Sequence, residues 1–160
     1  MVWLNWRYRT YRRWRDFQPT LLYVAACDLL YQCLCSHYLL WTYVPKWPIQ
    51  HQLLTNYMYT FVFLPATALM FIFHYPAEGR LSVKLLYMLK WYAAFVLGEG
   101  FYVSTTHMAY GHGWTLWWSM LFNVMMFSLM LLHHNRPLWA YGLTAAAAAF
   151  WVIVFHIPLS

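Results

Sequence analysis

Long apolar runs separated by short polar connections dominate this chain, and five of the runs are long enough to cross a membrane as helices. A bilayer core of about 30 Å needs roughly 20 apolar helical residues. The predicted spans cover about residues 19–41, 53–73, 84–106, 114–132 and 137–155. The pattern therefore predicts an all-α fold, an integral membrane bundle of five transmembrane helices.

Basic residues fall almost entirely on one side of these runs, which predicts an orientation. Five arginines precede the first run: Arg7, Arg9, Arg12, Arg13 and Arg15. The connections that return to the same side hold Arg80, Lys84 and Arg136, whereas the opposite side holds only Lys46. Short cytoplasmic loops collect Lys and Arg. We therefore expect the N-terminus in the cytoplasm and the C-terminus outside.

Composition excludes an ordinary soluble protein and leaves no room for a separate soluble domain. The chain is 63% hydrophobic and 9% charged, against roughly 25% charged residues in soluble domains. We predict two parts: a basic, aromatic cytoplasmic arm over residues 1–18 and a five-span domain over residues 19–160. The net charge of +6 is explained better by anionic lipid headgroups along the arm than by nucleic acid. A membrane protein partner or a second copy of the chain stays open as a further contact.

Two carboxylic acids lie inside predicted spans and are the strongest candidates for function. Asp28 lies in the first span, with Gln32 one helical turn later. Glu99 lies in the third span, with Tyr102 on the same face and glycines at 98 and 100 that should let another backbone approach. Charge inside a membrane is expensive and usually faces protein or a polar cavity. A structural hydrogen bond is the alternative role for each acid.

Asn123 in the fourth span is the third polar candidate. It comes near mid-membrane, so Asp28, Glu99 and Asn123 could line one cavity, although facing directions are not set by one sequence. Lys90 is expected to extend to the inner headgroups, with a salt bridge to Asp28 as the alternative. The ligand-binding hypothesis thus comprises Glu99, Asp28, Asn123, Tyr102 and Gln32.

Histidines and cysteines give no recognisable cofactor site. The eight histidines lie near run ends, where they are expected to keep their polar ring atoms in water. Their spacing matches no metal motif. A metal or a haem held by outer histidines such as His37 and His107 is the less favoured alternative. The three cysteines fall within the first run and are expected to pack as small apolar residues. We predict no metal, no cofactor and no catalytic residue.

Several short landmarks occur in a characteristic order along almost the whole chain. They are Pro19-Thr20-Leu21-Leu22-Tyr23, Thr60-Phe61-Val62-Phe63-Leu64-Pro65, Tyr75-Pro76, Glu99, Gly113-Trp114, Trp118-Ser119, Leu132-His133 and Pro137-Leu138. This order resembles a family of small multi-span membrane proteins from spore-forming Gram-positive bacteria, to which no activity is assigned. The resemblance implies a multi-pass protein of the bacterial cell membrane and carries no catalytic residue to this chain.

Three functions from different classes fit these features. The favoured one is a non-enzymatic protein that binds a hydrophobic ligand or a membrane partner through an intramembrane polar cavity. The second is proton-coupled transport or ion conduction, with Asp28 and Glu99 as successive proton carriers. The third is a lipid-acting enzyme in which Glu99 is the general acid.

Overall fold

The computed structural model describes residues 1–46 and 50–158, except for the side chains of Val2 and Leu4. Trp47 and Pro48, in the connection between the first two predicted spans, lie outside the described residues. The elements, in chain order, are α1 (Val2–Arg7), a 3₁₀ turn (Thr10–Arg13), α2 (Trp14–Leu34), β1 (Trp41–Tyr43), α3 (Gln52–Met58), a π-helical turn (Tyr59–Phe63), α4 (Leu64–Phe73), α5 (Leu81–Ser104), β2 (Met108–Tyr110), α6 (Leu116–Asn135) and α7 (Pro137–Val154).

Four helices are long and apolar enough to cross a membrane, as expected of a multi-pass membrane protein. They are Gln52–Phe73, which joins α3, the π-helical turn and α4, together with α5, α6 and α7. The shortest has 18 residues, which is about 27 Å at the helical rise of 1.5 Å per residue. Helix α2 has 21 residues but is not among the four, because polar side chains such as Asp28 and Gln32 interrupt its apolar sequence.

Helix α2 differs from the predicted first span at both ends. It begins at Trp14 instead of Pro19 and ends at Leu34 instead of Trp41. Asp16 in its first turn favours the early start, because a carboxylate stabilises a helix N-terminus, and Arg13 Nε donates to Asp16 Oδ2 at 2.8 Å. Pro19 is therefore an interior residue and not part of the first turn.

The predicted arm is folded onto the bundle. Asn5 on α1 is buried and donates from Nδ2 to the carbonyl oxygen of Ala66 on α4 at 2.8 Å. Thr10 Oγ1 donates to Asn5 Oδ1. Trp3 and Trp6 remain 65% and 66% exposed on the outside of α1. The arm thus presents its aromatic rings and arginines from a fixed position.

A π-helical turn accommodates the proline predicted within the second span. Pro65 lies in the first turn of α4, directly after Tyr59–Phe63. Proline lacks an N–H and its ring collides with the carbonyl four residues earlier in a regular α-helix. The wider π turn relieves this conflict and places Thr60 in the fully buried interior.

The helices share two common ends, named here the arginine end and the sheet end. The arginine end contains α1 and the connections at residues 74–80 and 136; the sheet end contains β1 and β2. At the arginine end, Phe17 of α2 contacts Phe73 and His134, with ring centroids 6.1 and 5.2 Å apart. At the sheet end, Cys35 is buried with Trp114 and the residues after α7. Helix α2 therefore runs the full length of the bundle.

A small antiparallel sheet, which was not predicted from the sequence, covers the sheet end of the bundle. Residues Trp41, Thr42 and Tyr43 pair with Tyr110, Ala109 and Met108. In the sequence analysis, residues 107–113 were only the connection between the third and fourth predicted spans. Gly111 is needed there, because an added Cβ would come 2.8 Å from the carbonyl oxygen of Leu39.

Candidate functional site

A cavity of about 390 Å³ lies beneath the sheet, between the helices. Its walls come from α2, the π-helical turn, α5, α6 and α7. Most of its surface is apolar, with methionine and aromatic side chains prominent. A concave, mostly apolar chamber with a few polar groups is the usual form of a small-molecule site.

The sheet forms the roof of this cavity. Side chains alternate between the faces of a strand, so Trp41 and Tyr43 of β1 share one face, and they line the cavity together with Met108 of β2. Tyr31 of α2 holds the roof in place: its hydroxyl donates to the Trp41 carbonyl at 2.8 Å and accepts from the Trp41 N–H at 2.9 Å. Its ring also stacks on Trp41, with centroids 3.9 Å apart.

Asp28 is held by neutral donors from two elements. Oδ2 accepts from Gln32 Nε2 at 2.7 Å and from Thr60 Oγ1 at 2.5 Å. Gln32 Nε2 also donates to Thr60 Oγ1 at 2.9 Å. Thr60 was not predicted as a site residue; a hydroxyl in an otherwise apolar span was the only available signal. These bonds connect α2 to the π-helical turn.

Glu99 is held on the opposite side of the cavity. Tyr110 of β2 donates its hydroxyl to Oε1 at 2.7 Å, and Asn123 Nδ2 lies 3.4 Å from Oε2, at the long limit for a hydrogen bond. Burial raises the pKa of Tyr110, and Glu99 adds to the rise. Tyr110 therefore stays a neutral donor. The sequence analysis missed it because the strand was not recognised.

The polar groups predicted separately on three spans meet at this one cavity. Four of the predicted residues line it: Asp28, Glu99, Tyr102 and Asn123. Gln32 does not line the cavity but donates a hydrogen bond to Asp28. Burial, followed by the neighbouring Tyr59 and the two acids, raises the pKa of Tyr43 well above its ordinary value. Tyr43 lines the same cavity as the two carboxyl groups, and its hydroxyl remains protonated.

One expectation about the surroundings of the acids is wrong, and one alternative is not realised. Nothing lies within 4 Å of a Cβ built at Gly98 or Gly100, so no other backbone approaches there. Within the described residues the one salt bridge joins Arg13 and Asp16. Lys90 is exposed on α5 and does not pair with Asp28.

One wall of the cavity is open to the side. Ala94, Gly98 and Tyr102 follow each other at four-residue spacing on α5, and all three are exposed and line the cavity. We call these three residues the α5 window. Phe63 of the π-helical turn faces this helix, with its ring centroid 6.4 Å from that of Phe95. The opening lies on a helix that is long and apolar enough to cross a membrane.

The cavity is closed towards the arginine end by a packed core. Phe71 and Phe127 are 0% and 1% exposed, with ring centroids 4.7 Å apart. Met130 and Tyr23 are buried in the same cluster. The chamber therefore lies between the sheet and this core, and Tyr23 and Met130 of the core line it together with Met1.

One histidine is buried and bonded, contrary to the expectation that these rings stay in water. His133 of α6 is 2% exposed. Its Nδ1 lies 3.0 Å from Thr20 Oγ1 and its Nε2 lies 3.2 Å from the Tyr141 hydroxyl. Tyr23 stacks on the ring with centroids 4.1 Å apart. These contacts join α2, α6 and α7 below the cavity.

Among residues 1–46 and 50–158, no three His, Cys, Asp or Glu side chains are grouped so as to hold a metal ion. The three cysteines are free. No protein-family model, curated protein or solved structure matches this chain. The geometry of the cavity is therefore the guide to function.

Proposed function

We propose that the protein is a five-span membrane protein that binds a hydrophobic molecule, which enters the cavity from the lipid phase through the α5 window. The observation that carries this proposal is the shape of the chamber: roofed by the sheet, closed by the core around Phe71 and Phe127, and open at the side. A ligand that reaches such a chamber travels through the bilayer. The polar groups orient it, while apolar walls supply most of the binding free energy.

Five spans and a cytoplasmic N-terminus are part of the proposal. Helix α2 extends from one end of the bundle to the other, beside four helices that are long and apolar enough to span. Its polar residues Asp28 and Gln32 bond within the protein and so need not face lipid. Of the ten Lys and Arg residues, only Lys46 lies at the sheet end. The others lie at the arginine end or in the half of α5 next to it, as expected for a cytoplasmic face. Following the resemblance noted from sequence, the membrane is that of a bacterial cell.

Topology is tested by thiol labelling in intact cells. In a variant without the three native cysteines, a cysteine at His112 should react with a membrane-impermeant maleimide. A cysteine at Glu78 should react only after lysis, because it lies at the arginine end. Equal labelling of both sites in intact cells would contradict a crossing by α5 with the arginine end inside the cell.

Ligand uptake is tested with an alkyl probe that carries a diazirine. In phosphatidylcholine nanodiscs, irradiation should label residues inside the chamber, such as Met126 and Phe95, in addition to lipid-facing positions such as Leu97. The inside labelling should saturate with probe concentration, whereas lipid-facing labelling should rise linearly. Labelling confined to Leu97 and similar surface positions would overturn the proposal.

Proton-coupled transport is the second candidate, favoured by the presence of two carboxyl groups in one chamber. Ionisable groups inside membrane spans often mark proton and ion pathways. If this is the function, proteoliposomes should show pH-driven flux that Asp28→Asn and Glu99→Gln both abolish. A change in the lipids of an expressing strain, absent with Glu99→Gln, would instead support the lipid-acting enzyme.

A further inference from the structure

We propose that the head group of the ligand is a cation, an alkylammonium bound between Asp28 and Glu99 beneath the aromatic roof. This inference rests on the proposed function and names the chemical class of its ligand. The alkyl chain would lie among the methionine and phenylalanine side chains of α5 and α6.

The charge balance of the cavity is the first argument. Two acids line it and no Lys, Arg or His side chain does; Met1 also lines it, but among the described residues its amino group forms no ion pair with either acid. The groups that bond to them are amides and hydroxyls, which are neutral. Lys46 at the sheet end is engaged elsewhere, donating to the carbonyl of Thr105 at 2.7 Å. An ionised carboxylate removed from water is stable only with a countercharge or full hydrogen bonding, so a cationic ligand completes this site.

The free bonding capacity of Asp28 is the second argument. Both described hydrogen bonds to Asp28 end on Oδ2, and no described donor reaches Oδ1. The residue lines the cavity. An ammonium N–H therefore has an open acceptor on the cavity wall.

The aromatic roof is the third argument. Tyr43 of β1 and Tyr59 of the π-helical turn stack with centroids 3.6 Å apart and planes 3° from parallel, and Trp41, on the same strand as Tyr43, also lines the cavity. A cation within about 6 Å of such a ring face gains roughly 0.5–2 kcal/mol. Aromatic rings together with carboxylates distinguish an ammonium from a neutral head group.

Competition against the diazirine probe tests the head-group preference. The competitors are dodecylamine, dodecyltrimethylammonium, dodecanol and dodecanoate, compared at equal mole fractions in zwitterionic phosphatidylcholine nanodiscs. We expect both cations to displace the probe from the chamber at roughly tenfold lower mole fraction than dodecanol, which corresponds to about 1.4 kcal/mol. Dodecanoate should be the weakest competitor.

The four acidic residues of the chain supply matched variants. Asp28→Asn or Glu99→Gln should bring the cations to within about threefold of dodecanol, a difference of less than 1 kcal/mol. Asp16→Asn and Glu78→Gln, both at exposed positions, should keep the full preference. If a cavity variant does not fold, the ranking of competitors on the wild-type protein decides.

The competition and labelling results distinguish failure of the cationic head group from failure of the proposed ligand-binding function. Equal displacement by cationic and neutral competitors would overturn the cationic head group while the lipid-accessible cavity stands. Cation preference that survives in both folded cavity variants would also overturn it, because the charge would act elsewhere. Absence of saturable labelling in the chamber would instead remove the proposed function itself.

Discussion

Replacement of Trp114 by alanine should lower the free energy of unfolding by about 3–5 kcal/mol, the range for truncation of a large buried aromatic residue. Trp114 is 4% exposed and its ring packs against Trp41 of the roof and Trp151 of α7, with centroids 4.7 and 5.2 Å away. Its Nε1 also donates to Ser119 Oγ at 2.7 Å. The substitution would therefore leave a cavity and an unpaired hydroxyl beneath the sheet. Denaturant unfolding in a mild detergent measures the change.

Trp117 is the control for this substitution. It is the same residue type three positions later and is 78% exposed, so Trp117→Ala should change the free energy of unfolding by less than about 0.5 kcal/mol. Equal losses in the two variants would contradict the described packing of the sheet end.

Replacement of Gly98 by leucine should abolish ligand binding without destabilising the fold. Gly98 is the central residue of the α5 window, and nothing lies within 4 Å of a Cβ built there. A leucine side chain can therefore enter the opening without a backbone clash. Leucine also favours a helix over glycine by roughly 0.8 kcal/mol, so the melting temperature should stay equal or rise. Loss of saturable probe labelling, with the fold intact, is the expected result.

Gly142 provides the matched control. It is also an exposed helical glycine with nothing within 4 Å of an added Cβ, but it does not line the cavity. Gly142→Leu should bind the probe like the wild type. If both leucine variants bind normally, ligands do not enter through the α5 window.

The spanning helices were largely predictable from the sequence, because each apolar run extends well beyond what chance or a soluble core would produce. Four of the five predicted spans correspond to helices whose ends differ by about three residues or fewer. The first run was harder to delimit. Its apolar character continues to Trp41, whereas the helix ends at Leu34 and the chain then enters a strand.

The sheet was not predictable from local patterns. Each strand has only three residues, too few for an alternating pattern to stand out. Their pairing joins positions more than 60 residues apart. Tyr110 was overlooked as the partner of Glu99 for that reason.

The candidate site was predictable as a set of residues but not as a set of contacts. Acids and other polar side chains inside apolar spans are expected to face protein or a cavity because lipid exposure is expensive, and this reasoning selected Asp28, Glu99 and Asn123. The rotation of each helix about its axis decides which polar groups meet. Thr60 reaches Asp28 through the π-helical turn, a feature without a sequence signature beyond the proline that follows it.

Native mass spectrometry of the protein, extracted gently from its own membrane, tests the central claim most directly. The wild type and Gly142→Leu should each carry one bound amphiphile that withstands detergent removal, and Gly98→Leu should lack that mass. Such a result would establish a lipid-accessible cavity and give the mass of its occupant. Bare protein in all three samples, or the same adduct retained by Gly98→Leu, would contradict the claim that the chamber behind the α5 window binds a ligand.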